Sequence, residues 1–133
     1  MFSGWREKIK NRAGENTGSL GEEIAVSFLK KSGYAIIERN YRKRYGEIDI
    51  IAEDGGELVF IEVKTRKSSS FGSPFEAVDS RKQEKMSRVA MAYMISRSLT
   101  EQAARFDVVA VRLEAKQQPK VELVKDAFEL CGW

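Results

Sequence analysis

From Gly46 to Arg66 the chain reads Gly-Glu-Ile-Asp-Ile-Ile-Ala-Glu, then Asp54-Gly55-Gly56, then Glu-Leu-Val-Phe-Ile-Glu-Val-Lys-Thr-Arg. No other stretch constrains the fold as strongly. Two apolar runs joined by Asp-Gly-Gly predict an antiparallel hairpin, because tight turns between strands need positive φ. Strand side chains alternate faces. Asp49 therefore shares a face with Ile51, and Leu58, Phe60, Glu62 and Lys64 share one on the next strand. A Gly55-Gly56 turn sets Asp49 directly opposite Glu62. An Asp54-Gly55 turn sets Asp49 opposite Phe60, with Glu62 on the diagonal. Either register brings the two acids within bridging range of a metal.

Facing like charges destabilise a sheet. A divalent cation held by oxygen ligands, Mg²⁺ or Mn²⁺, removes the conflict, and Mg²⁺ commonly takes one or two carboxylates with phosphate oxygens and water. Lys64, two residues past Glu62 on the same face, can hold an attacking water or neutralise a phosphate as charge builds. The alternative is a solvated face with Glu62 paired to Lys64 or Arg66. The apolar flanks, Ile48, Ile50 and Ile51 on one strand and Leu58 to Ile61 on the other, argue for interior strands. Bare charge is costly there, which favours a functional role.

The remaining chain supplies the partners for this hairpin. Residues 1–18 are polar, basic and aperiodic. They read as a flexible arm able to touch phosphates, or as a frayed terminus, and residues 19–133 read as a single domain. A helix opens at Ser19 with Leu20, Ile24, Ala25, Phe28 and Leu29 on one face, and Gly33 ends it. Tyr34 to Asn40 is a first strand. Lys67 to Ser73 is a Ser/Gly-rich loop expected to be mobile, and Pro74 suits the first turn of a short helix. A longer helix from Ser80 buries Met86, Val89, Ala90, Tyr93 and Met94. Phe106 to Val111, apolar on both faces, is an interior strand. Lys120 to Lys125 is a shorter last strand, and Asp126 to Leu130 a closing helical turn. The order is helix, three strands, helix, then one or two strands: an α/β domain.

Length and composition narrow the chemistry. At 133 residues one domain is expected. The chain has no histidine, which excludes Ser-His-Asp and Cys-His nucleophiles and histidine-ligated zinc or iron. Cys131 is the only cysteine. It excludes a disulfide framework and fits a reduced, cytoplasmic setting. The N-terminus has no apolar run of a secretory signal, and Val89 to Ile95 is too short to span a bilayer, so no membrane partner is expected. Any hydrolysis must use carboxylates, lysine, tyrosine or an oxygen-ligated metal. The net charge is only +3, so partners must be read from where the charges sit.

Arg39, Arg42, Lys43 and Arg44 interleave with Tyr41 and Tyr45, an arrangement suited to stacking on unpaired bases, or simply a basic loop. Arg81, Lys82 and Lys85 crowd the start of the second long helix, where cations oppose the helix dipole. Phosphate contact would explain them, and a solvated helix face is the alternative. Ser19 and Glu22 have capping-box spacing. Asp107 in Arg105-Phe106-Asp107 reads as a structural, strand-edge carboxylate beside an arginine.

Asp49 followed by Glu62-Val63-Lys64 resembles the PD-(D/E)xK nuclease motif, with Ile48 where the motif's name has proline. The wider pattern is Gly18 to Glu22 with Ala25 and Leu29, Asn40-Tyr41-Arg42, Gly46 to Ala52, Val59 to Arg66, Lys82-Gln83-x-Lys85, Arg105 to Val109 and Asp126-Ala127-Phe128. It resembles the YraN-like uncharacterised bacterial family, related to archaeal Holliday junction resolvases. The resemblance implies a restriction-endonuclease-like core, with a mixed sheet flanked by helices. It implies catalytic positions at Glu22, Asp49, Glu62 and Lys64, overriding the capping role of Glu22, and a Mg²⁺ or Mn²⁺ site at Asp49, Glu62 and the Val63 carbonyl. Nucleic-acid contacts are then expected from Arg42, Arg44, Arg66, Lys82, Gln83 and Lys85. The expected function is metal-dependent phosphodiester cleavage, on DNA in preference to RNA, with branched DNA among the substrates. The alternatives are a nucleic-acid-binding module without catalysis and a protein-interaction domain that kept the fold. Junction resolution by related folds uses two-fold dimers, which leaves a homodimer open, although no dimer face is legible.

Overall fold

A computed structural model describes residues 17–67 and 78–130. Its elements are α1 (Thr17–Lys31), β1 (Ala35–Lys43), β2 (Gly46–Asp54), β3 (Glu57–Arg66), α2 (Ser80–Ser96), β4 (Ala104–Arg112) and β5 (Lys120–Phe128). Gly55 and Gly56 form the hairpin turn, both at positive φ, 59° and 87°. The register that follows pairs Asp54 with Glu57 and Ile50 with Ile61. The strands form one five-stranded mixed sheet in the order β1-β2-β3-β4-β5. Only β3 and β4 are parallel, and α2 makes the crossover that parallel neighbours require.

The sheet lies between the two helices. Alternation along β3 sends Val59 and Ile61 to the core under α1, with Leu20, Ile24 and Leu29. Leu58 and Phe60 go to the opposite core under α2, with Met86, Val89 and Tyr93. α1 approaches β3 so closely that a Cβ on Gly21 would overlap Thr65 Oγ1.

Several sequence expectations shift. Thr17 and Gly18, read as part of the arm, belong to α1. Ser19 is therefore inside the helix, and the capping box does not form. β1 runs on to Lys43 because β2 offers it a ladder as far as Gly46. The closing helical turn is absent: β5 continues to Phe128. The reason is packing, since the Phe128 ring stacks on Phe106 at 4.6 Å and 13°. Residues 1–16 of the arm, the loop beyond Lys67 and the helix expected from Pro74 lie outside the described residues. No helix among the described residues is long and apolar enough to cross a membrane.

One feature of the sheet places the site. The β2–β3 ladder stops at Ile50–Ile61. Beyond it, β2 stays paired with β1 through Tyr41–Ile48, Arg42–Glu47 and Lys43–Gly46. β3 stays paired with β4 as far as Arg66–Arg112. The sheet forks there, and Asp49 and Glu62 are the first residues inside the fork.

Candidate active site at the sheet fork

Asp49 spans the mouth of the fork, its Oδ2 accepting from the Val63 amide at 2.8 Å. In β3 the even-numbered residues turn their backbone groups to β4. The Leu58 amide donates to the Ala103 carbonyl, and the Arg66 carbonyl accepts from Leu113. A strand residue's N–H and C=O lie on one side, so Val63, whose amide reaches Asp49, turns its carbonyl into the fork as well. Glu62 is buried, 4% exposed, and its Oε2 holds the Lys82 ammonium of α2 at 2.9 Å. Asp49 forms no ion pair among the described residues. Burial, followed by the charge of Glu62, pushes its carboxyl up to about 8. Burial pulls the Lys82 ammonium down, but its bond to Glu62 outweighs that and leaves it raised.

Because the fork opens through the sheet, the acid pair borders a cavity on each side. One, of about 540 Å³, adds Glu22, Asn40, Glu47 and Lys64 to the pair. The other, of about 350 Å³ and on the α2 side, adds Arg44, Tyr45, Lys82 and Lys85.

Glu22 lines the larger cavity, but its Oε1 is committed. It accepts from Arg39 Nη2 at 3.0 Å and from Asn40 Nδ2 at 3.0 Å. Asn40 sits opposite Asp49 across β1 and has φ 55°, a left-handed conformation that asparagine tolerates better than most residues. Glu22 thus braces the strained point of β1 beside the fork. Among the described residues no three acidic, histidine or cysteine side chains come close enough to hold a metal together. The Asp49–Glu62 pair with the Val63 carbonyl is a smaller donor set, all oxygen. It suits a hard cation that fills its remaining positions with water and phosphate oxygens.

The other residues singled out from sequence are placed as follows. Lys64 lines the larger cavity, and neither it nor Arg66 is in an ion pair among the described residues. Arg42 pairs with Glu47 at 3.1 Å. Arg44 and Lys85 line the smaller cavity. Gln83 spends its amide on the Val78 carbonyl at 2.9 Å. Tyr41 and Tyr45 are not free stacking platforms. Tyr41 packs edge-on against Tyr93 at 5.1 Å, and the Arg88 guanidinium covers the Tyr45 ring at 4.5 Å. Alternation along β1 turns Tyr41 to the α2 core, which is why the basic cluster carries aromatics.

Asp107 is not at a strand edge. It lies fully buried on the interior strand β4 and accepts from Tyr34 Oη at 2.7 Å, Arg105 Nε at 3.0 Å and the Asp126 amide at 2.9 Å. Sequence reasoning missed two contacts: Lys82 on Glu62, and Asp79 capping α2 by accepting from the Lys82 amide. The Asp79-Ser80 start was a readable capping signal. The Lys82 contact depends on how α2 crosses the sheet, which no local pattern encodes.

The model of the uncharacterised protein family UPF0102 matches residues 21–111. A UPF0102 protein of Syntrophus aciditrophicus (strain SB) is 50% identical over 115 residues, covering 86% of this chain and 90% of that protein. One from Moorella thermoacetica (strain ATCC 39073 / JCM 9320) is 51% identical over 112 residues, covering 84% and 93%. The chain belongs to the UPF0102, or YraN-like, family.

Proposed function

We propose that this UPF0102 protein binds nucleic acid and hydrolyses phosphodiester bonds with a divalent cation held at the sheet fork, on a restriction-endonuclease-like core. One observation carries the reading. Asp49, half-buried, adjoins the buried Glu62 where β2 and β3 part, and Asp49 has no ion pair among the described residues. A fold rarely keeps such a carboxylate pair unless it serves a ligand. Asp49, Glu62 and the Val63 carbonyl would hold Mg²⁺ or Mn²⁺. A cation there supplies Lewis acidity and a water of lowered pKa.

The chain's own groups do the rest. Lys64 lines the larger cavity, its ammonium in no ion pair among the described residues, and it orients the attacking water and offsets charge growing on the phosphate. Glu22 acts through Asn40 and Arg39 and holds the geometry of β1 beside Asp49. Arg44, Lys85 and Arg66 on the α2 side and Arg42 on the other meet the phosphate backbone. Contacts to phosphate oxygens position the strand without reading bases. DNA is the favoured substrate class, branched DNA included.

A second reading also has an observation behind it. With Glu62 satisfied by Lys82 and no third acid joining the pair, the fork also suits a module that binds nucleic acid without cutting it. A cleavage panel of branched, duplex and single-stranded DNA with Mn²⁺ or Mg²⁺ decides between them. The expected result is metal-dependent cleavage by wild type that Glu62→Ala abolishes. Salt-sensitive binding with no cleavage of any substrate leaves the module. Neither binding nor cleavage removes both.

A further inference from the structure

The α2-side face of the sheet carries charge well beyond the fork. β3, β4 and β5 are in continuous register, so Arg66 pairs with Arg112 and Arg112 pairs with Lys120. Paired residues point to the same face, and neighbouring strands are about 4.8 Å apart. The result is a row of three cations crossing three strands. The next row inward is Lys64, Ala110 and Glu122. Together these residues line a groove of about 320 Å³, with Val111 and Val121 also among its lining residues.

Like charges side by side on a sheet cost stability. At the Arg105 end of the molecule every such cost is met by a carboxylate. Here Lys64, Arg66, Arg112 and Lys120 have no ion pair among the described residues, and Glu122 is the one acid lining the groove. The groove has no aromatic side chain among its lining residues, so it offers charge and no stacking surface. Lys64 lines both this groove and the cavity of the acid pair, so the two adjoin there.

We infer that the Arg66–Arg112–Lys120 row is a phosphate track, which carries the backbone of a nucleic-acid strand away from the fork across the open end of β3, β4 and β5. The inference rests on the nucleic-acid reading of the fork and extends it. The bound strand is longer than the scissile nucleotide, is held through its phosphates, and crosses the strands of the sheet instead of following α2. Arg112 and Lys120, which no motif marks, become binding residues. Charge, adjacency to the fork and the lack of aromatics select a phosphodiester backbone as the occupant.

The test is binding of a labelled single strand of about 20 nucleotides to the full chain, followed by fluorescence anisotropy in EDTA between about 50 and 200 mM salt. Each phosphate contact contributes about 0.7 to the log–log salt slope on a single strand. Arg112→Ala/Lys120→Ala should therefore flatten the slope by about 1.4 and weaken binding. Glu122→Gln removes the one opposing charge and should tighten it. Lys120→Glu, at an exposed strand end, serves if the double variant does not fold, and should weaken binding. Steep wild-type binding with slopes and affinities unchanged in these variants overturns the track but leaves the nucleic-acid reading standing. That outcome would turn the groove over to an acidic protein partner. Wild type that shows no salt-dependent binding overturns both.

Discussion

The two ends of the β2–β3 hairpin both bury charge on the same sheet, and they treat it in opposite ways. At the turn end Arg105 reaches Glu57 at 2.6 Å, Asp54 at 2.6 Å and Asp107 at 3.0 Å, and it donates to Tyr34 Oη at 3.0 Å. Each of those three carboxylates touches a cation. Hydrogen bonding to Arg105 holds the Asp54 carboxyl below its ordinary value. Burial and then Asp107 push the Tyr34 phenol upward. At the fork end, by contrast, Asp49 accepts one backbone amide and faces another acid, and its pKa moves up. Burial is common to both ends; the balance of charge is not. A closed network is what a structural role needs, and a deficit of positive charge is what a cation site needs before its ligand arrives.

The largest expected effect breaks the closed end. Arg105→Ala leaves Asp107 buried and stripped of its counter-ion. Removing one partner of such a pair costs about 3–5 kcal/mol. Urea unfolding at neutral pH should show a loss of that size. A loss below about 1 kcal/mol would mean that the Arg105 network does not carry stability, and the contrast between the ends would dissolve.

Next in size is the response to metal at the open end. A ligand bound only by the native state adds about 2.7 kcal/mol of stability at a hundred times its dissociation constant. Mn²⁺ should raise the melting temperature of wild type and of Lys64→Ala, which keeps both acids. It should leave Asp49→Asn nearly unmoved. Arg105→Ala, although weaker overall, should gain from Mn²⁺ as wild type does, because its lesion lies at the other end. Equal melts with and without Mn²⁺ for all four proteins would remove the cation from the fork.

These ends were unequally legible in the sequence. The hairpin could be read because Asp-Gly-Gly admits few turns, and the two candidate registers differed by two residues, which keeps side chains on the same face. Both put Asp49 and Glu62 on one face, so the pairing of acids did not depend on choosing between them. The fork itself was not legible. That β2 and β3 part after Ile50–Ile61 follows from β1 and β4 holding the two strands apart, and from Asp49 taking the Val63 amide that a ladder partner would have used. Asp107 was rightly read as structural beside Arg105, but its place was misjudged: it is buried on an interior strand. Its other partners, Tyr34 and the Asp126 amide, meet it only through packing, which no local pattern encodes. Tyr41 and Tyr45 misled for a related reason. A basic, aromatic segment has the composition of a stacking surface, but strand alternation turned Tyr41 toward α2, and Tyr45, in the turn, lies under Arg88 of that helix.

The smallest expected effect is also the one that separates the ends by pH. Asp49 has a folded pKa of about 8 against an ordinary value of 3.8. Between those values the native state holds a proton that the unfolded chain has released. The Asp49 contribution to stability therefore falls as pH rises from about 4 to about 8, and then levels off. Asp54 does the opposite in a different window. Its folded pKa lies below 3.8, so its contribution is present above that value and is lost only as pH drops further. Asp49→Asn isolates the first effect. The amide oxygen still accepts from Val63, and it mimics a protonated Asp49, so variant and wild type should be equally stable only below the ordinary value of 3.8. Above that the variant should pull ahead, with the gap levelling near pH 9. The adjoining cavities admit water, and Lys82 is near enough to share the load. Where that screening lowers the folded pKa below 8, the gap is about 1–2 kcal/mol and levels off at correspondingly lower pH. Urea unfolding in EDTA at several pH values measures it. With saturating Mn²⁺ the sign should reverse, because the cation stabilises wild type alone. A gap that stays constant with pH would mean that Asp49 is ionised and satisfied in the apo protein, which would make the fork as closed as the Arg105 end.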